Sequence, residues 1–507
     1  MKEKKYSCFD KFEIPYYLFI LVLSFFFVFI ASLATSPIAS GEPFGGDAAM
    51  FQTIGKGWAN GMLPYIDIWD SKGPIIFLIN AIGYRFSGSR TGVFILQIIS
   101  SFISNFFIFK TLRLKYLKRQ SIGLTVLMMG VLVMTYAGNS TEEFLLPLLT
   151  PCFYFIAKWV LSLGENSEVE HSPAAAFLYG FTFSFCFLTR FTNCVGLCAA
   201  ILVIAIFLIV NKRYNNLFKN AIAFIGGAIL LIIPFAIYFA SKGILYDALY
   251  GTFLYNIDYA MSSVGNDAID TIKWLRIVIA YSSPAILSIW GLFEIVKKKK
   301  QGALLLTVGI ISLFLLYSGN KYLHYGAICY PYLTIFLVDG KSYFDTIKKD
   351  GFKKGAIILV SIYFSVCLIG SLTTARSYIA HIYHKFITPI ESDGYVEAQE
   401  ELLKYIPEDE KNSIVAYNVN SGFYLQHDIK PVNRFFTMQD WAASRSEKHT
   451  NLMLKEYASS NIKWIFVEGD PQKTLIADII NEQYELVDTR NKGALDVVYY
   501  LYRHIDY

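Results

Sequence analysis

The sequence predicts a polytopic α-helical membrane protein with a small α/β domain at its C-terminal end. Of its 507 residues, 54% are hydrophobic and only 17% are charged, and the mean hydropathy is +0.42, whereas soluble proteins contain about 25% charged residues. Eleven apolar runs approach the roughly 20 residues that cross a bilayer as a helix. The remaining chain, 373–507, contains no such run.

The eleven predicted spans are charge-poor apolar runs. They cover 14–34, 91–109, 121–137, 144–162, 174–189, 193–210, 220–240, 277–293, 302–319, 325–340 and 355–372. The first run is too long for the core of a signal peptide and no clear cleavage site follows it, so we expect a retained helix. The apolar stretch 74–86 is too short to cross the bilayer and is predicted to lie along the membrane surface.

Loop charges predict how these spans are oriented. If the N-terminus is cytoplasmic, the cytoplasmic loops hold 21 Lys and Arg, and the opposite loops hold 9 over a greater length. Basic residues concentrate in cytoplasmic loops, so 373–507 is predicted to lie outside. We therefore expect a multi-pass plasma-membrane protein of two domains, 1–372 and 373–507, with surface helices in the outer loop 35–90.

The basic residues form no continuous patch, so nucleic-acid binding is not predicted.

The outer tail alternates helical and strand-like segments. Helices are predicted near 395–406, 451–459 and 473–481, and strands at 413–417, 463–467, 484–489 and 495–502. This alternation indicates an α/β domain, and about 130 residues can bury a core of their own. None of the seven cysteines follows Cys367 and no CxxC pattern occurs, which favours buried apolar thiols and is consistent with a bacterial source.

Polar side chains of the predicted outer loops fall in four segments. The residues that attract attention are Asp47, Tyr65, Asp67, Trp69, Asp70 and Lys72 in the first loop, then Glu142 and Glu143, then Arg190, and finally Lys321, His324 and Tyr325. The orientation follows from the excess of Lys and Arg in the predicted cytoplasmic loops, and the acidic and aromatic residues and His324 do not enter that count. Their common placement therefore predicts a single extracytoplasmic site.

The order of these residues resembles that of a known superfamily. An acidic residue, Asp47, follows the first span. A segment with proline, aromatic and acidic residues then ends in Lys72 and Pro74. His324, Tyr325 and Pro331 come late in the membrane part. This pattern, over roughly residues 1–340, is similar to the GT-C glycosyltransferases of the protein-mannosyltransferase and aminoarabinose-transferase type. The chain differs in having Asp-Ala at 47–48 where many members have two acids, and Lys-Gly-Pro at 72–74 where they have Lys-Pro-Pro.

The resemblance implies transfer of a sugar from a polyprenyl-phosphate donor, with inversion at the anomeric carbon, to an outer acceptor. That acceptor is a cell-wall polysaccharide, a teichoic acid, a lipid-linked glycan or a protein. An attacking hydroxyl must lose its proton, and a positioned carboxylate can accept it. Asp47 is therefore the predicted catalytic base, and Glu142 or Glu143 is predicted to orient the acceptor.

Cations are predicted to bind the donor phosphate, because the departing polyprenyl phosphate gains negative charge. Lys72 is the first candidate; Arg190 and Lys321 follow, and arginine can bind phosphate in a bidentate fashion. The predicted substrate-binding side chains are Tyr65, Asp67, Trp69, Asp70, His324 and Tyr325.

A divalent metal is an open expectation. Asp47, Glu142 and His324 are the candidate ligands, and their carboxylate and imidazole groups suit Mg²⁺, Mn²⁺ and Zn²⁺ without selecting one. The sequence therefore leaves the cofactor unknown.

Several of the predicted site residues also have simpler structural roles, and other functions predict different sequence features. Asp67 and Asp70 can cap the following helix, Lys72 can reach lipid phosphates, and Glu142 or Glu143 can mark a helix start. A polysaccharide ligase or polymerase predicts a strongly cationic outer loop, and a transporter or flippase predicts ionisable residues inside the spans. The first outer loop is led by acids and the spans are nearly free of charge, so a membrane hexosyl- or pentosyltransferase is preferred.

Overall fold

The computed structural model describes residues 13–37, 46–165, 170–261, 271–318, 320–345, 351–387, 395–459, 462–491 and 498–507. Helices predominate. In chain order they are α1 Ile14–Ala31, α2 Gly46–Ala59, α3 Pro74–Ser87, α4 Arg90–Leu112, α5 Lys118–Leu132, α6 Thr141–Glu165, α7 Pro173–Phe187, α8 Val195–Val210, α9 Tyr214–Ser241, α10 Leu245–Leu249, α11 Tyr255–Met261, α12 Thr271–Ala280, α13 Ser282–Val296, α14 Gly302–Ser318, α15 Tyr330–Asp339, α16 Lys341–Asp345, α17 Gly351–Phe386, α18 Tyr395–Leu403, α19 Gly422–Gln426, α20 Gln439–Ala443, α21 Glu447–Ser459 and α22 Ala477–Gln483.

Four strands near the C-terminal end form one mixed sheet. They are β1 Ile414–Tyr417, β2 Trp464–Glu468, β3 Tyr484–Asn491 and β4 Val498–His504, in the spatial order β1-β2-β4-β3. The pair β1 and β2 is parallel, and β4 pairs antiparallel with both β2 and β3. All of β1 and nearly all of β2 are buried, which fits their continuous apolar sequence.

The chain forms two compact units, each assembled from separate stretches. The first comprises Met1–Ser32, Phe94–Phe235 and Asn266–Ile379; the second comprises Leu33–Val93, Ala236–Gly265 and Ala380–Tyr507. The second unit thus joins the α2–α3 region, the segment that follows α9 and the sheet. The expected division of the sequence into 1–372 and 373–507 remains a prediction.

Several helices meet the requirements of a membrane span. Among the described residues, α1, α4, Thr141–Leu163, Phe191–Val210 and α9 are long and apolar enough to cross, and α12 with α13 adds a sixth if this pair, bent by 46°, is one span. The helices α3, α7 and α14 are apolar but shorter. The polytopic helical membrane class is therefore confirmed, and the count of eleven spans stays a prediction.

The start of the first span is fixed by charge as well as by packing. The Tyr17 ring lies 5.0 Å from that of Phe106, so α1 packs on α4. Just before α1, the buried Glu13 carboxylate lies 3.3 Å from Lys110 Nζ and 2.8 Å from Arg113 Nε. An unpaired buried charge is costly. The two basic residues near the end of α4 therefore hold the first span in place.

Two glycines allow α7 and α9 to approach at backbone contact. A Cβ atom at Gly180 would lie 1.8 Å from the Phe224 carbonyl oxygen, and one at Gly227 would lie 2.0 Å from the Phe177 carbonyl oxygen. Small residues commonly mediate such contacts between membrane helices.

The Gly227→Ala variant should therefore be less stable, because a methyl group at this position forces the two helices apart. Overpacking of this kind costs about 1–3 kcal/mol. Thermal unfolding of the purified protein in detergent measures the effect. The neighbouring Gly226→Ala variant is the matched control, since the nearest atom to its added Cβ is 3.9 Å away. Equal unfolding temperatures for the two variants would contradict this account.

Candidate functional site

The loop between α2 and α3 carries most of the sequence pattern, and local hydrogen bonds set its shape. Tyr65 has a φ of +74°, which is uncommon for a residue other than glycine. Its N–H donates to the Ile68 carbonyl at 2.7 Å. The exposed Asp67 carboxylate accepts from the Leu63 N–H at 2.7 Å. Asp67 is thus occupied in closing this turn.

The two aromatic residues of this loop point into the second unit. Tyr65 is fully buried, and its hydroxyl donates to the Lys72 carbonyl at 2.9 Å. Trp69 is also buried, with its ring 5.0 Å from that of Tyr255 and 4.2 Å from that of His449. Protein covers most of the surface of both rings, which hold the loop on the C-terminal part of the unit. Their stacking on substrate stays a prediction.

Three charged side chains of the second unit interact: Asp47, Asp70 and Lys72. Asp47 is exposed in the first turn of α2. Asp70 is buried and accepts from the Lys72 N–H at 3.2 Å. Burial raises the pKa of the Asp70 carboxyl; Lys72 opposes this shift, and the negative charge of Asp47 adds to it. The buried Asp70 carboxyl therefore interacts both with the exposed Asp47 carboxylate and with the half-buried Lys72.

In the first unit, the buried Glu142 carboxylate forms an ion pair with the half-buried Arg190 guanidinium. Glu142 lies in the first turn of α6, and its Oε1 accepts from Arg190 Nη1 at 2.9 Å and from Asn193 Nδ2 at 3.2 Å. The guanidinium also lies 3.4 Å above the centre of the Tyr325 ring, a favourable cation–π contact. The charge of Glu142 is thus largely compensated by protein groups.

The segment before α15 supplies aromatic rings next to the Glu142–Arg190 pair. A 3₁₀ helix, Leu323–Cys329, carries His324 and Tyr325, whose rings lie 4.6 Å apart. His324 also stacks on the exposed Tyr322 ring at 5.7 Å and contributes to the electrostatic surroundings of Glu142. Lys321 is half-buried next to them in sequence. Four predicted residues, Glu142, Arg190, His324 and Tyr325, therefore gather in the first unit.

Glu143 has a different environment. Its Oε2 accepts from the Asn139 N–H at 2.7 Å, its carboxylate accepts from the Tyr136 hydroxyl, and Gln97 Nε2 donates to both oxygens at 3.0 and 2.9 Å. Its own N–H donates to Ser140 Oγ at 3.2 Å. This Ser-x-x-Glu arrangement is that of a capping box. Glu143 thus closes the start of α6 and anchors it to α4.

The structure divides the predicted site residues between the two units. Asp47, Tyr65, Asp67, Trp69, Asp70 and Lys72 belong to the second unit, and Glu142, Glu143, Arg190, Lys321, His324 and Tyr325 belong to the first. The single shared site expected from the sequence stays a prediction.

The candidate metal ligands are Asp47, Glu142 and His324. In the part of the chain that the structure describes, no group of three or more His, Cys, Asp or Glu side chains is arranged to hold a metal ion. Glu142 is bound to Arg190, Asn193 and Thr141. The cofactor therefore stays open, and Asp47, Glu142 and His324 remain candidate ligands only.

The sequence analysis missed two polar residues of the first unit that bind predicted site residues. Asn193 binds Glu142, and it lies in the polar Arg-Phe-Thr-Asn break between two apolar runs, which was a usable signal. Gln97, which binds Glu143, is a polar residue within an apolar span. Such residues usually face other helices and find partners there.

Comparisons with solved structures identify the fold. ArnT from Cupriavidus metallidurans bound to undecaprenyl phosphate is 11% identical, covers 97% of this chain and 98% of that chain, and has a TM-score of 0.54. The apo form of the same enzyme has a TM-score of 0.55, and the match covers 96% of this chain and 97% of that chain. An Archaeoglobus fulgidus oligosaccharyltransferase in complex with Zn and sulfate, 12% identical over 89% of this chain and 68% of that chain, has a TM-score of 0.42, too low to establish a common fold.

These similarities define the class as a polytopic membrane protein with the fold of the GT-C glycosyltransferases, which confirms the resemblance found in the sequence. The chain belongs to the family described as "Putative competence-induced protein Ccs4 N-terminal domain", whose model matches residues 10–364. No protein with a curated function matches the sequence.

The Glu142–Arg190 pair allows a test of charge compensation. Arg190→Gln should destabilise the protein by roughly 3–5 kcal/mol, because it leaves a buried carboxylate without its cation. Adding Glu142→Gln should restore much of that loss, since the uncompensated charge is removed. Thermal unfolding in detergent measures both variants, and Lys321→Gln serves as the control for loss of a nearby positive charge. A double variant as unstable as Arg190→Gln alone would refute the explanation.

The raised pKa of Asp70 predicts that the stability of the fold depends on pH. A raised pKa means that folding favours the protonated carboxyl, so its stabilising contribution is present at low pH and is lost as the pH rises through the folded-state pKa. Asp70→Asn should therefore raise the unfolding temperature at pH 7 by a few degrees. The gain should vanish near pH 4, close to the usual Asp pKa of about 3.9. The exposed Asp409→Asn change is the control; an Asp70→Asn gain independent of pH would count against this mechanism.

Proposed function

We propose that the protein is a membrane glycosyltransferase that moves a sugar from a polyprenyl-phosphate donor to a hydroxyl group on the extracytoplasmic side. The GT-C fold supports this, since ArnT, which has the same fold, was solved with undecaprenyl phosphate bound. The observation that carries the proposal is the charge cluster of Asp47, Asp70 and Lys72. Cell-wall polysaccharide, teichoic acid, lipid-linked glycan and protein are the acceptor classes that fit.

The proposed reaction is a single displacement that inverts the anomeric carbon. The acceptor oxygen forms a bond to this carbon while the bond from the carbon to the phosphate oxygen breaks. The electron pair of that bond leaves with the polyprenyl phosphate, and the acceptor proton passes to a carboxylate. A positioned general base contributes typically 10²–10⁴-fold to such a step.

Asp47 is assigned the role of base because its surroundings suit it better than those of Asp70. Asp47 is exposed at the start of α2 and can reach a hydroxyl group arriving from solvent. Asp70 is buried and accepts from the backbone N–H groups of Ser71 and Lys72. We assign Asp70 the role of holding Lys72 in place.

Lys72 is assigned to the leaving phosphate. It is half-buried and interacts with Asp70, on which Asp47 also acts, and cations stabilise developing phosphate charge most strongly away from bulk water. Arg190 is the second candidate, because Glu142 already compensates part of its charge. Lys321 is the third.

The Asp47→Asn variant tests the reaction. The full chain is reconstituted in liposomes with undecaprenyl-phosphate-linked hexoses and pentoses and a membrane extract as acceptor source, and released undecaprenyl phosphate is measured by mass spectrometry. Removing the base should lower release by at least about 100-fold without lowering the unfolding temperature.

The matched control is Asp478→Asn, which changes another exposed aspartate in the first turn of a helix of the same unit. It should release the lipid at the wild-type rate. Full activity of Asp47→Asn would remove Asp47 as the base, and absence of release from the wild-type protein with every donor would remove the proposed reaction.

A further inference from the structure

A helical segment of the second unit, residues 245–261, packs firmly on one side. It consists of α10, a π-helix Tyr250–Leu254 and α11. The buried Tyr255 hydroxyl donates to the Ala442 carbonyl at 2.9 Å, and Asn256 Nδ2 donates to the Ser71 carbonyl at 2.7 Å. A Cβ at Gly251 would lie 2.7 Å from the Tyr65 ring. The inner side of this segment is therefore committed to the unit.

The other side of the same segment is apolar and exposed. We name it the outer stripe: Leu245, Leu249, Leu254, Ile257 and Met261, whose exposed fractions run from 37% to 80%. The residues follow one another at intervals of four, five, three and four. The interval of five coincides with the π-helix, in which hydrogen bonds join residues five apart. The wide turn therefore keeps the stripe on one side of the segment.

The outer stripe lies between two candidate membrane spans in the sequence. The candidate span α9 ends at Ser241, four residues before Leu245, and the next candidate span, α12 with α13, begins at Thr271. An extended residue covers at most about 3.6 Å, so Leu245 lies within about 15 Å of the end of α9. The segment begins where a bilayer surface is expected.

Polar side chains at the edge of the stripe have the character of an interfacial border. Tyr246 is 60% exposed, and its hydroxyl accepts from Lys448 Nζ at 3.0 Å. The Lys448 ammonium also lies 4.4 Å from the centre of the Tyr250 ring. Tyrosine and lysine are typical of the headgroup level, because each combines an apolar body with a polar end.

We propose that residues 245–261 form an interfacial helix whose outer stripe is buried in the headgroup–acyl boundary of the lipid bilayer. The occupant of this apolar surface is thus phospholipid. The docked segment supports the loop that carries Asp70, since Asn256 binds the Ser71 carbonyl. This proposal stands independently of the proposed reaction.

Photocrosslinking from the full chain tests it directly. Benzoylphenylalanine replaces Leu249 or Ile257 in protein reconstituted in liposomes of phosphatidylcholine and phosphatidylglycerol, and adducts are identified by mass spectrometry after irradiation. The matched control is Leu486, an exposed leucine of the same unit on β3. Phospholipid adducts should be at least tenfold more abundant at Leu249 and Ile257 than at Leu486.

Met261 provides a second reporter in case one substituted protein does not fold, and a monodisperse elution profile verifies each variant. Lipid adducts no more abundant than at Leu486 would overturn the proposal. Adducts to a second copy of the chain or to another protein would overturn it as well, because the stripe would then be a protein interface.

Discussion

Compensation of buried charge is the constraint on which the described structure depends most. A carboxylate removed from water must be paired or hydrogen-bonded on every side. Glu13 is paired with Lys110 and Arg113 at the start of the first span, and Glu142 is paired with Arg190 at the start of α6. These pairs join elements that are far apart in sequence, so they fix where the helices begin as well as neutralising charge.

Compensation is incomplete at one place in the loop of the second unit. The buried Asp70 accepts from backbone N–H groups and interacts with Lys72, but burial and the repulsion from Asp47 still raise its pKa. Tyr65 in the same loop adopts a left-handed backbone conformation, which costs energy for a bulky residue. Departures of this kind concentrate at functional sites. The buried contacts of Tyr65 and Trp69 supply the packing that keeps such a loop in place.

The sequence was informative wherever one local property dominates. Apolar length predicted the membrane class, and the apolar segments 413–417 and 463–467 coincide closely with β1 and β2. The adjacent acids Glu142 and Glu143 indicated a helix start, and both lie in the first turn of α6. In contrast, the direction of the Trp69 ring depends on Tyr255 and His449, and no local pattern contains that information. The discontinuous composition of the two units is inaccessible from sequence for the same reason.

Four of the five acidic candidates differ in how readily their carboxylates can accept a proton, because their surroundings differ. Glu143 binds four neighbouring groups, Glu142 is neutralised by a guanidinium, and Asp70 is buried under backbone donors. Each of these carboxylates would have to give up a structural bond to accept a proton from a substrate. Asp47 is exposed to solvent in the first turn of a helix. Proton acceptance without loss of structure is therefore easiest at Asp47, and this is why the proposed reaction is centred on it.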